Sequence, residues 1–163
     1  MALDDDIVFL GRIPTFRVLG REAMRILAIS AQTVELFGGE QLFEEGEPAD
    51  GGYVVVRGAV ELKSVGEASG GSIVARNGTL IGETSMIVNT MRPATAVALE
   101  PTALLRIPRS VFLRTLEGEP GAAVALRDMM QGRLKATLDD LDIVLPLFID
   151  PAREPEEETP AER

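Results

Sequence analysis

The chain has 163 residues, of which 45% are hydrophobic, and its 26 acidic and 16 basic side chains give a net charge of −10. It contains no cysteine, histidine or tryptophan, which excludes disulfides, Cys/His zinc sites, thiol nucleophiles and imidazole-based catalysis. The acidic balance disfavours binding to nucleic-acid phosphates or to anionic membranes. We therefore expect a non-enzymatic, metal-free cytoplasmic protein with no nucleic-acid or membrane partner.

The first 31 residues have a helical pattern. Phe9, Ile13 and Phe16 supply an apolar edge, and Pro14 separates a short first helix from a second one that begins near Glu22. This pattern predicts a small helical segment ahead of the rest of the domain.

The pattern then changes to short apolar runs separated by glycine, with 11 glycines among residues 38–82. Runs of this length and spacing predict antiparallel strands in a β-roll or jelly-roll barrel, not a parallel α/β sheet. The predicted strands are Val34–Phe37, Gln41–Phe43, Tyr53–Val56, Ala59–Leu62, Ile73–Ala75, Thr95–Leu99 and Ala103–Ile107.

Two helices are predicted after Pro108. A short one covers Ser110–Leu116, and a longer one runs from Pro120 to about Leu141. Apolar side chains recur along the longer helix every three or four residues, at 126, 130, 134, 138 and 141. Such a stripe is typical of a core contact or of a seam with a second copy or a protein partner. The fold class predicted is α+β, mainly β, with N-terminal helices and two C-terminal helices.

The last 13 residues, 151–163, contain three prolines, five glutamates and no large apolar side chain. A segment of this composition cannot bury enough surface to offset the entropy of ordering. We expect one domain over residues 1–150 and a disordered acidic tail over residues 151–163. No helix-turn-helix and no basic patch follow the predicted β-roll, which disfavours a transcription factor.

One stretch, residues 80–95, departs from simple strand-and-turn patterning. A strand ends near Ile81, Gly82 permits close backbone approach, and Glu83–Val88 is long enough for about a turn and a half of helix. The start of such a helix presents unpaired N–H groups that attract anions. Arg92 follows after a connector that can fold back, so a guanidinium and a helix start are expected around one anion.

This stretch resembles the phosphate-binding cassette of the cyclic-nucleotide-binding domain family, which includes the catabolite activator protein, kinase regulatory subunits and nucleotide-gated channels. The matching blocks are Ile81-Gly82-Glu83 and Arg92-Pro93-Ala94-Thr95, preceded by the glycine-rich hairpins of residues 43–50 and 53–61. The likeness covers roughly residues 9–141, in the order helix, β-roll, two helices.

The resemblance implies a role for each matching residue. Glu83 would accept a hydrogen bond from the ribose 2′-hydroxyl, and Arg92 would pair with the exocyclic oxygens of the cyclic phosphate. Backbone amides near Gly82 and Ser85 would complete the anion site, and Arg133 on the last helix would lie over the base. The complete set of ligand-binding residues expected from the resemblance is Gly82, Glu83, Thr84, Ser85, Arg92, Pro93, Ala94 and Arg133.

Pro93 departs from the family pattern, which commonly has Ala, Ser or Thr at this position. Proline has no N–H to hold the phosphate, and it offers no hydroxyl of the kind that guanine-preferring members carry here. The departure therefore favours cAMP over cGMP as the ligand. It also motivates the alternative hypothesis, a structural or protein-interaction module that kept the β-roll and lost its ligand.

The function expected is a stand-alone cyclic-nucleotide sensor with cAMP as its preferred ligand and no metal. Its C-terminal helix would relay ligand occupancy to a second copy or to a protein partner.

Overall fold

The computed structural model describes residues 3–65 and 71–132. The chain divides into two units, residues 1–126 and residues 127–163. The described strands all lie in the first unit. Residues 127–132 of the second unit are helical. The predicted domain boundary at residue 150 and the predicted tail lie outside the described residues.

The N-terminal segment is helical, as its apolar spacing predicts. Helix α1 covers Leu3–Leu10, a short 3₁₀ turn covers Pro14–Phe16, and helix α2 covers Arg21–Ser30. The proline opens the 3₁₀ turn, where its fixed φ and missing N–H cost nothing. After the strands, helix α3 covers Arg109–Glu117, and residues 120–132 are helical.

The N-terminal helices and α3 are joined by an aromatic contact. Phe16 and Phe112 are both fully buried, and their ring centroids lie 6.0 Å apart in an edge-to-face arrangement. Such pairs add about 0.5–1.5 kcal/mol to the burial of the two rings. The helical segments at both ends of the β-roll therefore share one apolar cluster.

Ten strands form the body of the first unit in the residues that the structure describes. Their bounds are β1 Gln32–Leu36, β2 Gln41–Phe43, β3 Pro48–Ala49, β4 Gly51–Arg57, β5 Val60–Lys63, β6 Ser72–Ala75, β7 Leu80–Ile81, β8 Thr90–Met91, β9 Thr95–Ala98 and β10 Thr102–Pro108. The seven strands given in the sequence analysis are present with ends that differ by at most two residues, and β7 ends at Ile81 as expected. The two-residue strands β3 and β8 were not predicted, because two residues carry no periodicity.

The strands pair antiparallel in three open sheets. One sheet has the order β1-β10-β4-β7, a second has the order β2-β9-β5-β6, and β3 pairs with β8 alone. The fold is thus mainly β with helices at its ends, as predicted. In the described part of the chain the strands form separate open sheets, not the closed barrel that the sequence analysis allowed.

The core lies between the two four-stranded sheets. Its members are apolar side chains from strands of both sheets that point to the same interior: Phe43, Val55, Val60, Ala75, Ile81, Ala96 and Leu104. Because side chains alternate along a strand, the neighbours of these residues point to the opposite faces. None of the helices within the described ranges is long and apolar enough to span a membrane.

Candidate functional site

Arg92 occupies the short connection between β8 and β9, and its backbone is fixed on both sides. Its N–H donates to the Glu47 carbonyl at 2.8 Å, and its own carbonyl accepts from the Gly46 N–H at 2.9 Å. The glycine-rich hairpin that precedes β3 therefore holds the arginine in place. The residue is only 4% exposed, so its side chain is directed into the β-roll.

The guanidinium of Arg92 lies against two aromatic rings. Its central carbon is 4.3 Å from the ring centroid of Phe43 and 5.4 Å from that of Tyr53, and the two ring centroids lie 6.0 Å apart. These distances are typical of cation–π contacts. The rings thus stabilise a cation that burial would otherwise destabilise.

Burial also changes the pKa of the Arg92 guanidinium. Burial lowers the pKa of the Arg92 guanidinium from its ordinary value, while Tyr53, Asp50 and Glu47 act in the opposite direction. The group nevertheless stays protonated at neutral pH, as arginines in proteins do.

One nitrogen of this guanidinium, Nη1, is buried and has no hydrogen-bond partner in the described structure. A buried donor without a partner costs about 1–3 kcal/mol, and more when it is charged. A buried, positively charged and unpartnered N–H group is well suited to bind an anionic oxygen.

Gly82 makes room for this guanidinium. Its φ is +76°, a left-handed conformation that L side chains rarely adopt. A Cβ atom added here would lie 2.6 Å from Nη1 of Arg92, closer than real contacts allow. The glycine is therefore favoured by the turn after β7, and a side chain in its place would force the guanidinium of Arg92 to move.

The predicted helical turn after Gly82 is a 3₁₀ turn over Thr84–Met86. Oε1 of Glu83 accepts a hydrogen bond from the hydroxyl of Thr15, a buried residue of the N-terminal 3₁₀ turn. The carboxylate predicted to bind ribose thus also connects the cassette to the N-terminal helices. Thr84 is exposed and Ser85 is buried.

The backbone amide of Ser85, expected to face the anion, donates instead to the carbonyl of Gly82 at 3.1 Å. This bond closes the 3₁₀ turn. For that amide to face an anion, the turn would first have to open. Met86, one residue on, is fully buried.

Arg109, the first residue of α3, also contacts the cassette. Its Nη1 donates to the carbonyls of Ala49 at 2.8 Å, Ser85 at 3.2 Å and Val88 at 3.4 Å. Its backbone N–H donates to the Asp50 carbonyl at 2.7 Å. One side chain therefore ties the cassette and the strand β3 to the beginning of the C-terminal helices.

The structure brings Gly82, Ser85 and Arg92 together, because the Cβ position of Gly82 lies within 4 Å of side-chain atoms of both other residues. Beyond Arg92, Pro93 is exposed and Ala94 is half-buried. Arg133, predicted to lie over the base, is outside the described residues.

Three residues at the site were not identified from the sequence. Phe43 and Tyr53, which the sequence analysis placed only in predicted strands, supply the rings beside Arg92. Arg109 supplies the link to α3. Of the three, only Arg109 has a local sequence feature that marks its position: it follows Pro108, which precedes the predicted helix. The contacts of the two aromatic residues with Arg92 depend on strand pairing that one sequence does not reveal.

A family model described as the cyclic nucleotide-binding domain matches residues 33–119, which is more than half of the chain. The match contains β2 to β10, all of β1 except Gln32, and Arg92. The chain belongs to this family. The resemblance seen in the cassette residues is thereby confirmed, and the Arg92 site lies within the matched segment.

Solved structures agree with this assignment. A cyclic nucleotide-binding-like protein from Brucella abortus is 39% identical, with a TM-score of 0.62 over 70% of this chain and 99% of that one. The N-terminal domain of a Streptomyces coelicolor transcriptional regulator is 34% identical, with a TM-score of 0.72 over 82% of this chain and 94% of that one.

Among curated proteins, the lysophospholipase NTE1 of Phaeosphaeria nodorum is 25% identical over 111 residues. The match covers 66% of this chain but 7% of that enzyme. The chain therefore spans less than a tenth of the length of this relative.

Replacing Gly82 by alanine tests the contact between this turn and Arg92. We expect Gly82→Ala to weaken cyclic-nucleotide binding by at least about tenfold, because the new methyl group displaces the guanidinium. Calorimetric titration with cAMP measures the change.

Gly78→Ala is the matched control for this variant. Gly78 also has a positive φ, +82°, but no described atom lies within 4 Å of its Cβ position. Both variants should lose about 1–2 kcal/mol of unfolding free energy through backbone strain. Equal cAMP affinity in the two variants would contradict the proposed steric relation with Arg92.

Proposed function

We propose that this domain is a cyclic-nucleotide sensor that prefers cAMP to cGMP and relays occupancy to its C-terminal helices. The observation that carries the proposal is the buried Nη1 atom of Arg92, which has no partner among the described residues and lies beside Gly82. Membership of the cyclic nucleotide-binding domain family supports the ligand class.

The phosphate is the part of the ligand that Arg92 suits best. A cyclic phosphodiester carries one negative charge on two exocyclic oxygens, and a guanidinium presents a fork of N–H donors to such a pair. Because the site is sheltered from solvent, screening by water and salt is weak there. Binding would also give Nη1 a hydrogen-bond acceptor. It would thus remove the destabilisation that the unpartnered donor causes in the free protein.

The ribose is the proposed partner of Glu83. An ionised carboxylate can accept several hydrogen bonds, so the bond from the Thr15 hydroxyl is compatible with a ribose hydroxyl as a further donor. The contact would also connect ribose binding to the N-terminal helical segment. A nucleotide would in this way touch elements from both ends of the β-roll.

The base preference rests on Pro93. The residue is exposed, carries no hydroxyl and has no backbone N–H. A guanine base has donors and acceptors that a hydroxyl here would satisfy, whereas adenine does not require one. This reasoning favours cAMP over cGMP.

The relay is proposed to run through Arg109. Its side chain binds the carbonyls of Ser85 and Val88 in the cassette, and the residue itself begins α3. A ligand that rearranges the cassette would change these bonds and thereby bias the position of the helix. The size of that bias cannot exceed the difference in ligand affinity between the two helix positions.

The second candidate function is an interaction module without a ligand. Two observations favour it: Pro93 lacks the N–H that phosphate binding uses, and the Ser85 amide is occupied within its own turn. The two candidates differ in one measurable property, the binding of a cyclic nucleotide.

Replacement of Arg92 distinguishes the two functions. We expect cAMP to bind the wild-type chain, cGMP to bind more weakly and 5′-AMP to fail. We further expect Arg92→Ala to lose about 2–5 kcal/mol of binding free energy through loss of the buried charge contact. Isothermal titration calorimetry measures all four cases, and Arg76→Ala, at an exposed position, is the control.

Two results would overturn the proposal. No binding of any cyclic nucleotide at millimolar concentration would favour the interaction module. Binding that Arg92→Ala leaves unchanged would place the ligand elsewhere.

Pro93→Ala restores the backbone N–H beside the phosphate. We expect cAMP affinity to rise by about one to two decades, the usual effect of one hydrogen bond to a charged group. The ratio of cAMP to cGMP affinity should stay nearly constant, because alanine adds no hydroxyl. Unchanged cAMP affinity would show that this N–H does not contribute.

Arg109→Ala tests the relay. We expect hydrogen exchange in residues 109–117 to respond to cAMP in the wild type and to lose most of that response in the variant. Arg114→Ala, at an exposed position of the same helix, should keep the response. If the Arg109→Ala variant binds cAMP and keeps the hydrogen-exchange response in residues 109–117, the relay does not run through Arg109.

A further inference from the structure

Thr15, in the N-terminal helical segment, contacts Glu83, the cassette residue proposed to bind ribose. It lies in the 3₁₀ turn Pro14–Phe16, and its hydroxyl donates a hydrogen bond to Oε1 of Glu83, 68 positions further along the chain. Thr15 is 2% exposed, whereas Glu83 is half-buried. The hydrogen bond therefore runs from a buried hydroxyl to the carboxylate of a residue that is partly accessible to solvent.

The turn that carries Thr15 is firmly held. Pro14 has a fixed φ, and the N–H of Phe16 donates to the carbonyl of Ile13 at 3.0 Å. Phe16 is fully buried, and its ring packs edge-to-face against Phe112 of α3. A β-branched threonine has few χ1 rotamers. The hydroxyl of Thr15 is therefore presented from a rigid position.

This contact orients the side chain of Glu83. The backbone carbonyl of Glu83 accepts from the N–H of Met86 at 3.1 Å, but a glutamate side chain has three rotatable bonds and loses much conformational freedom when it is ordered. A side chain that is already ordered does not incur this loss when a ligand binds. Since a carboxylate has about four acceptor positions, the bond at Oε1 is compatible with a further donor from ribose.

We propose that Thr15 is a positioning residue for ribose recognition. It orients the carboxylate of Glu83 for the 2′-hydroxyl, and the site thereby discriminates ribose from 2′-deoxyribose. This inference rests on the proposed function, because it assigns Thr15 to the same nucleotide site. Thr15 acts through Glu83 and does not itself bind the ligand. A hydrogen bond that only joined the two segments would stabilise the fold and would affect the binding of ribose and deoxyribose nucleotides equally.

The test compares cAMP with 2′-deoxy-cAMP, which lacks only the hydroxyl that Glu83 would bind. Each nucleotide is titrated into the full chain by calorimetry, and the ratio of the two Kd values is the readout. We expect the wild-type chain to prefer cAMP by about tenfold to a hundredfold, the usual effect of one hydrogen bond to a charged group. Thr15→Val removes the hydroxyl and keeps the side-chain shape. It should weaken cAMP binding about twofold to tenfold, because Glu83 must then be ordered on binding, and leave 2′-deoxy-cAMP binding unchanged.

Further variants separate positioning from a structural effect. Thr15→Ser restores a hydroxyl and should restore most of the preference for cAMP. Thr115→Val is the matched control, because that hydroxyl is also on a buried residue and donates to the Val111 carbonyl at 2.8 Å; it should leave the ratio unchanged. In a Glu83→Ala background, Thr15→Val should not change the ratio further. If Thr15→Val does not fold, Thr15→Ala removes the same hydroxyl without placing a methyl group beside the carboxylate.

The results distinguish failure of this inference from failure of the proposed function. If neither nucleotide binds the wild-type chain, both are wrong. If cAMP binds and Thr15→Val leaves the ratio unchanged, or weakens both nucleotides equally, only the role of Thr15 is wrong. Equal binding of the two nucleotides to the wild-type chain would exclude the ribose contact of Glu83, and the role of Thr15 with it. Tighter cAMP binding in Thr15→Val would show that Thr15 competes with ribose for the carboxylate, which also overturns the inference.

Discussion

A buried guanidinium is the constraint on which this structure depends. Burying a charge is costly unless the charge is paired, yet Arg92 is 4% exposed and its Nη1 has no partner among the described residues. The rings of Phe43 and Tyr53 offset part of that cost. In the proposed function, an anion bound at Nη1 would offset the remaining cost.

The elements around Arg92 are arranged to keep it there. The Gly46–Glu47 hairpin fixes its backbone, and Gly82 leaves room for its side chain. Arg109 binds the carbonyls of the neighbouring turn from the start of α3. The residue that contacts the cassette is thus also the first residue of a helix, and the proposed relay rests on this connection.

Much of this arrangement could be predicted from the sequence. Short apolar runs predicted seven of the ten described strands, and the pattern of residues 80–95 predicted an eighth, β7, which ends at Ile81. Gly82, Glu83 and Arg92 were identified from their spacing and family resemblance. The prediction failed where pairing decides structure. Strands β3 and β8 are only two residues long, so no sequence pattern in either segment predicts them. They form because they pair with each other.

Strand periodicity, helix limits and the residue types of the cassette were determined by the sequence alone, because they depend on neighbours in the chain. Tertiary structure decided which rings lie beside Arg92 and that Arg109 reaches the carbonyls of the cassette. These contacts join residues far apart in the chain. Which residues contact each other there depends on side-chain packing and on the burial of charge, and both take effect only after the strands have paired into sheets.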